Sequence, residues 1–294
     1  MKQYVYLTIL FLSCCTEPKR EVPFEPEAFL SEFVPAGQLA HGGVLSPDGL
    51  QYFLTLSDSN FQYFNVVMSE NKNGKWSETE PAFFNSSYDE HGVSFTANQQ
   101  YIYFSSTRPI HKDSLPNSWQ IWRCRKISKG WSEPEWVELP SMSGQLVSHP
   151  SFTRSDRMYF HAGKTDYSQL SIYYADQNDG NFSAPRMVDF TINLEGLQIT
   201  PYIAADESFL IFGHVADGTE RLYLSKNIKG EWQSPLALSD KINHNCKANP
   251  FVATDTKFLY YASGEFNDNG IPKNWIIKRV PWKGIPDSIR FSKN

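Results

Sequence analysis

The chain has 294 residues, a formal net charge of −5 and an aromatic content of 15%. A mildly acidic chain without a block of basic residues does not fit a protein whose main partner is nucleic acid or an anionic membrane surface. Frequent aromatic residues interspersed with Gly and Pro are typical of strands and turns, and they exclude a disordered chain.

The N-terminus has the pattern of an export signal. An apolar run at 4–12, too short to span a bilayer, is followed by Ser13, Cys14 and Cys15. Small residues before a Cys are typical of bacterial lipoprotein signals, in which that Cys is lipidated. We predict a signal peptide at 1–14, lipidation at Cys14 in preference to Cys15, and a linker at 15–25. The alternatives are a plain signal peptide and a buried apolar N-terminus.

Five similar segments organise the rest of the chain. Each combines a short apolar strand, a turn rich in Asp, Asn, Gly or Ser, and a second strand with aromatic residues, which together predict a hairpin. The segments read HGGVLSPDGLQYFLTL from His41, HGVSFTANQQYIYFSS from His91, HPSFTRSDRMYFHAG from His149, TPYIAADESFLIFGH from Thr200 and NPFVATDTKFLYYAS from Asn249.

A third strand and an outer turn extend each unit. Four units continue into a turn with an aromatic anchor, at Trp76, Trp131, Phe182 and Trp232. Four strands in about 50 residues is the unit of a β-propeller blade, which must stack on its neighbours to bury its faces. We therefore predict an all-β, single-domain β-propeller at 26–294. Its blades are predicted at 41–90, 91–148, 149–199, 200–248, and 249–294 plus 26–40.

The N-terminal segment is predicted to complete the last blade. Pro26 to Phe29 precedes His41 by the same interval that separates Pro134 to Val137 from His149. The fifth unit lacks its own outer anchor, so a strand from the N-terminus would close the ring and remove two open edges. A local fourth strand at Ser288 to Phe291 is the competing interpretation, and a sixth, degenerate blade in the termini stays open.

These motifs resemble the WD-like propeller repeat of the TolB family. The resemblance rests on Ser46-Pro47-Asp48-Gly49, on Ser105 to Pro109 after a second strand, and on the Gly130 to Pro134 turn. It implies a propeller that is secreted or lipidated in bacteria, and it covers nearly the whole mature chain. It does not imply a function, because propellers include both enzymes and adaptors. The chain also lacks the N-terminal α/β domain of TolB.

The histidines point to one end of the propeller. All seven map to the face that carries the starts of the inner strands and the loops after the second strands. His41, His91 and His149 start three consecutive units, where neutral imidazoles could bind Zn or Mn. The favoured alternative is a structural His copied with an ancestral blade, which leaves the protein without a cofactor.

The same face supplies the predicted ligand-binding residues. Loops extended beyond their repeat are where binding residues concentrate. We predict a polar or anionic ligand, a glycan or a peptide, at Arg108, His111, Trp119, His161, Lys164, His214 and Trp275. Packing between blades is the alternative for Trp119 and Trp275. Neither Cys124 nor Cys246 is predicted to be a nucleophile.

The favoured function is therefore a non-catalytic, monomeric propeller of the bacterial envelope, periplasmic or on the outer membrane. It would bind an envelope protein or a glycan through the His-rich face, contact the membrane only through its lipid, and bind no nucleic acid. The alternative is a metal-dependent lyase or hydrolase that acts on a saccharide with His41, His91 and His149 as ligands. Glycoside hydrolysis is disfavoured because Asp89 and Glu90 form the single acidic pair near a strand start. A third possibility is an assembly scaffold.

Overall fold

The computed structural model describes residues 24–111, 118–255, 257–267, 271–283 and 285. These residues form five blades of antiparallel strands around a central axis, which confirms the predicted five-bladed β-propeller. The predicted signal peptide, most of the linker, and the competing strand at Ser288 to Phe291 lie outside the described residues. No described helix is long and apolar enough to cross a membrane.

The closing strand comes first in the chain. It is β1 (Glu27–Ala28), and a 3₁₀ turn at Ser31–Phe33 follows it. Blade 1 contains β2 (Gln38–Leu45), β3 (Gln51–Asp58), β4 (Asn65–Lys72), β5 (Lys75–Trp76) and β6 (Glu80–Pro81). Blade 2 contains β7 (Glu90–Phe95), β8 (Tyr101–Ser106), β9 (Gln120–Ile127), β10 (Gly130–Trp131) and β11 (Glu135–Trp136).

The other three blades follow the same order. Blade 3 contains β12 (Leu146–Phe152), β13 (Met158–Gly163), β14 (Leu170–Ala175), β15 (Gln177–Asn178), β16 (Asn181–Phe182) and β17 (Arg186–Met187). Blade 4 contains β18 (Leu197–Ile203), β19 (Phe209–Ala216), β20 (Thr219–Ile228), β21 (Glu231–Trp232) and β22 (Leu236–Ala237), with the short helix α1 (Asp240–Asn243). Blade 5 contains β23 (Cys246–Val252), β24 (Phe258–Phe266) and β25 (Pro272–Pro281).

The ring closes as predicted. Glu27 lies opposite Arg279 in an antiparallel pairing of β1 with β25, and the two side chains form an ion pair of 2.7 Å. Phe29 then packs its ring against Tyr52 of blade 1 and Tyr260 of blade 5. One short N-terminal strand thus completes the last blade and joins it to the first.

Turn chemistry accounts for the inner hairpins. In blade 1, Asp48 Oδ1 accepts hydrogen bonds from the Ser46 hydroxyl and from the Leu50 amide. Asn98 accepts the corresponding bonds in blade 2, from the hydroxyl of Thr96 and the amide of Gln100. Short polar side chains that bond the backbone two residues onward favour turns, so the Asp and Asn residues of the repeat fix where each hairpin bends.

The hydrophobic core lies between blades. Phe104, Phe160 and Phe212 occupy the same position in the second strands of blades 2, 3 and 4, and each is fully buried. The outer anchor Phe182 is buried as well, and Trp76, Trp131 and Trp232 pack against the clusters between blades. Packing at each interface therefore fixes two adjacent blades relative to each other. As a result, the inner strands of all five blades surround the axis.

Candidate functional site

A central channel runs along the axis and has a volume of about 480 Å³. Its walls are the inner strands β2, β7, β12, β18 and β23. One end reaches the turn face, which we define by the inner turns at 46–51, 96–101, 153–157 and 204–209. The other end of the channel lies toward the loop face, which we define by the loops at 59–64, 164–169 and 217–218. The volume lies in the range of small-molecule sites.

A ring of polar residues forms the floor of the channel toward the loop face. It consists of His41, His91, His149, Thr200 and Asn249, the five positions that start the sequence repeats. Each inner strand has a bulge there, at which its pairing with the second strand shifts. A bulge re-aims a side chain that would otherwise point between blades.

The structure corrects the predicted equivalence of the three histidines. The amides of Ser46, Thr96 and Thr153 close the corresponding inner turns. His41 and His91 lie five residues before these positions, whereas His149 lies four before, so Ser148 is the counterpart of His41 and His91.

The position of His149 is left-handed in four of the five blades. Gly92, His149, Thr200 and Asn249 all have positive φ, between 49° and 62°. Gly92 fits the geometry because a Cβ there would lie 3.2 Å from the His149 ring. A β-branched Thr at positive φ is strained, so the surrounding contacts must hold it in place.

Hydrogen bonds join the floor residues across blade boundaries. Ser148 Oγ lies 2.9 Å from His91 Nε2 and 3.0 Å from His149 Nδ1, and Ser105 Oγ accepts from the His149 amide at 3.0 Å. His161 Nδ1 accepts from the Thr200 amide at 3.1 Å. These bonds connect blade 2 to blade 3 and blade 3 to blade 4.

The remaining floor contacts involve blade 5 and blade 1. The Asn249 backbone amide donates to Thr200 Oγ1 at 3.3 Å, and its side-chain Nδ2 donates to the His41 carbonyl. His41 Nε2 lies 2.7 Å from Ser57 Oγ. Because that hydroxyl donates to the Asp58 carbonyl, it accepts the proton of His41 Nε2.

Burial keeps the floor uncharged. It lowers the pKa of His41 to about 4 and, with a partial offset from Asn249, the pKa of His149 to about 3. The pKa values of His91 and His161 lie well below the ordinary range, first through burial and then through neighbouring imidazoles. All four side chains are therefore neutral at pH 7 and act through hydrogen bonds rather than charge.

Aromatic side chains close the channel at the loop face. Trp119 lies with its ring centroid 3.7 Å from that of His91, and its Nε1 donates to the Tyr167 hydroxyl at 2.8 Å. Trp275 stacks on His41 at 5.8 Å and packs edge-on against Phe61. Both tryptophans are buried, as the packing alternative expected, so the channel opens at the turn face.

Arg108, one of the predicted ligand-binding residues, is mostly buried. Its side chain is 11% exposed and forms an ion pair of 2.8 Å with Glu90, which is completely buried. It also donates to the Phe84 carbonyl, and its guanidinium lies 5.2 Å from the centroids of Phe104 and Trp122. Desolvated polar contacts and cation–π packing occupy this side chain, so it stabilises the core around blade 2. Its contact with a ligand stays a prediction.

The other predicted ligand-binding residues divide into buried and exposed groups. His161 is buried beside His149, and His214 is buried beside Gln198, which lies 3.1 Å from its Nδ1. Lys164 and His111 are exposed on the loop face. The structure therefore does not assemble the seven predicted residues into one surface site.

The metal prediction gains no support from the geometry. Among the residues that the structure describes, no group of three or more His, Cys, Asp or Glu side chains is arranged to hold a metal ion. His91 and His149 face each other with ring centroids 4.2 Å apart, while His41 bonds Ser57. The Zn or Mn site stays a prediction.

Cys124 lies in the core of blade 2. It is buried and free of disulfides, and burial raises the pKa of its thiol to about 12. A thiol held in its protonated form is a poor nucleophile.

Sequence reasoning missed several residues of the site. Ser105 and Ser148 join the floor histidines, and Arg154 and Asp206 lie at the mouth. His149, Thr200 and Asn249 share a further feature in the sequence, because each is followed by Pro. An X-Pro pair repeated at the start of three inner strands marks these residues as equivalent positions, which an alignment on His conceals.

Comparisons with known proteins support the fold alone. No protein-family model and no curated protein matches this sequence. A TolB structure from Agrobacterium tumefaciens superposes with a TM-score of 0.51 at 10% identity, covering 83% of each chain. The GH62 α-L-arabinofuranosidase domain of Coprinopsis cinerea gives 0.53 at 12% identity, covering 89% of this chain and 98% of its own.

A third solved structure, a protein of unknown function from Dyadobacter fermentans, has a TM-score of 0.50 at 10% identity and covers 88% of this chain and 82% of its own. The similarity to TolB confirms the expected propeller fold. At these identities, function does not follow from fold.

Proposed function

We propose that this propeller binds a small molecule in its central channel, which the molecule enters from the turn face, and that it has no catalysis of its own. The observation that carries the proposal is a channel of about 480 Å³ with a neutral polar floor and a closed loop-face end. Apolar walls with a few convergent polar groups are typical of ligand sites. His41, His91 and His149, which were predicted as metal ligands, line the floor of this channel.

The chemistry of the lining favours binding over hydrolysis. Glycoside hydrolysis needs two carboxyl groups on opposite sides of the scissile bond. Asp206 is the one carboxylate among the described lining residues, and it lies in a turn at the mouth. Hydrogen bonds from Ser208 lower the pKa of Asp206, so it is a poor general acid. Although the fold is similar to that of an arabinofuranosidase, the described lining of this channel does not contain a pair of carboxylates.

The proposal extends to location and partners. Lipidation at Cys14 would anchor the protein at the bacterial envelope, where its ligand would be a component of an envelope glycan or protein. Incorporation of a labelled fatty acid tests the anchor. We expect it in the unsubstituted chain and in Cys15→Ala, but not in Cys14→Ala. Label retained by Cys14→Ala and lost by Cys15→Ala would move the anchor to Cys15, and label in none would refute lipidation.

A fluorescent probe tests binding in the channel. N-phenyl-1-naphthylamine is small, uncharged and bright when removed from water. We expect saturable binding with a Kd on the order of 10 μM, equivalent to about 0.4 kcal/mol per non-hydrogen atom. Ala97 and Thr254 lie in turns of different blades at the mouth. The double variant Ala97→Trp/Thr254→Trp should obstruct the channel and weaken binding at least tenfold.

The matched control places the same side chain elsewhere. Ala184 is exposed and lies outside the channel lining, so Ala184→Trp should bind the probe as the unsubstituted protein does. Circular dichroism and the melting temperature verify that all variants are folded. Absence of saturable binding in the unsubstituted protein, or equal binding in the obstructed variant, would refute binding in the channel.

A further inference from the structure

We propose that the ligand is an uncharged amphipathic molecule, with an apolar ring-containing body along the channel walls and an end that donates a hydrogen bond to the floor. This inference rests on the proposed function, because it specifies the ligand of the same channel. It follows from three separate properties of the lining, which concern its walls, its charge and its floor.

The walls between floor and mouth are aromatic. Phe95, Tyr202, Phe209 and Phe251 line the channel and are partly buried. The ring centroid of Tyr202 lies 5.9 Å from that of Phe251 and 6.2 Å from that of Phe209. The Tyr202 hydroxyl donates to the Val252 carbonyl at 2.9 Å, so this side chain offers its ring rather than its oxygen. Partly buried rings favour a flat apolar partner that stacks on them or meets them at their edges.

Formal charge is confined to the mouth. Arg154 and Asp206 are the two described lining residues that carry a full charge at neutral pH, and both are exposed in neighbouring turns of the turn face. The Arg154 amide donates to the Ala205 carbonyl at 2.7 Å, which brings the two turns together. An ion that reached the floor would lose its hydration without meeting an opposite charge, and Pro150, Pro201 and Pro250 leave few backbone donors there to compensate for that loss. The channel thus selects against ionised ligands.

The floor has an unused hydrogen-bond acceptor. Among the residues that the structure describes, Asn249 Oδ1 is buried and has no hydrogen-bond partner of normal geometry. The Asn249 side chain nevertheless lies close enough to His149 to oppose the lowering of the His149 pKa. The Asn249 side-chain nitrogen donates to the His41 carbonyl, which fixes which atom of the amide is left over. A buried acceptor without a partner costs about 1–3 kcal/mol, which a donor on the ligand would recover.

The backbone at the depth of the floor also offers fewer hydrogen-bond donors than acceptors. Pro150, Pro201 and Pro250 follow the left-handed residues of blades 3, 4 and 5 and line the channel. Proline has no N–H, so three of the five inner strands offer no amide donor there. The polar end of the ligand is therefore a donor, such as an amine N–H or a hydroxyl, rather than a carbonyl or an ether.

Three related probes separate these features. N-phenyl-1-naphthylamine is neutral and has an N–H. 8-Anilino-1-naphthalenesulfonate keeps the rings and the N–H but adds a negative charge, and N-methyl-N-phenyl-1-naphthylamine keeps the rings but lacks the N–H. By fluorescence titration, we expect the sulfonate to bind at least tenfold more weakly than the first probe. The methylated probe should bind about fivefold more weakly.

The variant Asn249→Gly tests the acceptor, because glycine adopts the same positive φ without strain. In this variant the first and the methylated probes should bind equally. A sulfonate that binds as tightly as the neutral probe would overturn the preference for uncharged ligands. An unchanged ratio in Asn249→Gly would overturn the role of the floor acceptor. Absence of binding by all three probes would instead refute the proposed function itself.

Discussion

Replacing His41 by Gln should make the protein less sensitive to acid. His41 is 9% exposed, and burial lowers its pKa from 6.5 to about 4. Because the folded pKa lies below the unfolded one, protons bind preferentially to the unfolded chain. The contribution of His41 is therefore complete above about pH 6.5 and is lost as the pH falls toward 4. For this one group, the loss between pH 7 and pH 5 is about 2 kcal/mol.

The His41→Gln variant loses this titration. Its amide can still donate to Ser57 Oγ, but the ring contacts with Phe61, Phe64 and Trp275 disappear. We therefore expect the variant to be less stable at pH 7, by about 1–2 kcal/mol. The difference between variant and parent should then shrink by about 2 kcal/mol at pH 5, because only the parent still binds the proton on unfolding.

Urea unfolding followed by tryptophan fluorescence from pH 8 to pH 4.5 measures the effect. His244→Gln, which changes an exposed histidine, is the matched control and should give a curve parallel to that of the parent. If the curves of parent and His41→Gln are also parallel, the buried neutral imidazole is not a source of acid sensitivity. The assignment of the floor as an uncharged surface would then lose its support at this residue.

Three further substitutions test the packing around the site. Phe29→Ala should lower the free energy of unfolding by about 3–5 kcal/mol, because it empties the contact between the first and last blades; an unchanged urea midpoint would contradict this. Glu90→Gln should cost about 3–5 kcal/mol by leaving the Arg108 guanidinium unpaired. Adding Arg108→Met should recover part of that loss, and a double variant no more stable than the single would contradict the reasoning. Trp119→Phe should cost about 1 kcal/mol through its bond to Tyr167, and the loss should not add to that of Tyr167→Phe in a double-mutant cycle.

The fold was largely predictable from the sequence because the blades repeat their turn chemistry. Asp48 and Asn98 mark the inner turns, and the aromatic anchors mark the outer ones, so each repeat contains the residues that specify its own turns. The closing strand was predictable for the same reason, since Pro26 to Phe29 reproduces a fourth strand without the three that should precede it. Local signals that recur at a fixed interval specify a propeller even at very low identity to other propellers.

The site was predictable only in part. Aligning the units on His41, His91 and His149 conceals that His149 lies four residues before the start of its inner turn, whereas His41 and His91 lie five residues before theirs. A shift of one residue moves a side chain to the opposite face of a strand. His149 therefore reaches the floor from a backbone position that does not correspond to that of His41 and His91.

Of the predicted ligand-binding residues, Arg108, His111 and Lys164 lie in loops. His161, His214 and Trp275 lie instead within β13, β19 and β25. Spacing along the chain does not reveal which of these side chains turn inward. Arg108 is an example: its loop position was inferred, yet a buried carboxylate on the preceding inner strand draws it into the core. The channel itself could not be derived from the sequence, because its volume depends on how five blades tilt around the axis.

The way the ring closes limits when the protein can finish folding. Glu27 bonds to Arg279, a partner 252 residues further along the chain. The last blade therefore lacks its outer strand until the chain has been synthesised as far as β25, and we expect the pairing of β1 with β25 to be a late step in folding. A chain truncated within β25 would retain four intact blades yet expose two unpaired strand edges, which makes it a substrate for proteases and for aggregation. Closure of the ring thus depends on both ends of the propeller being present.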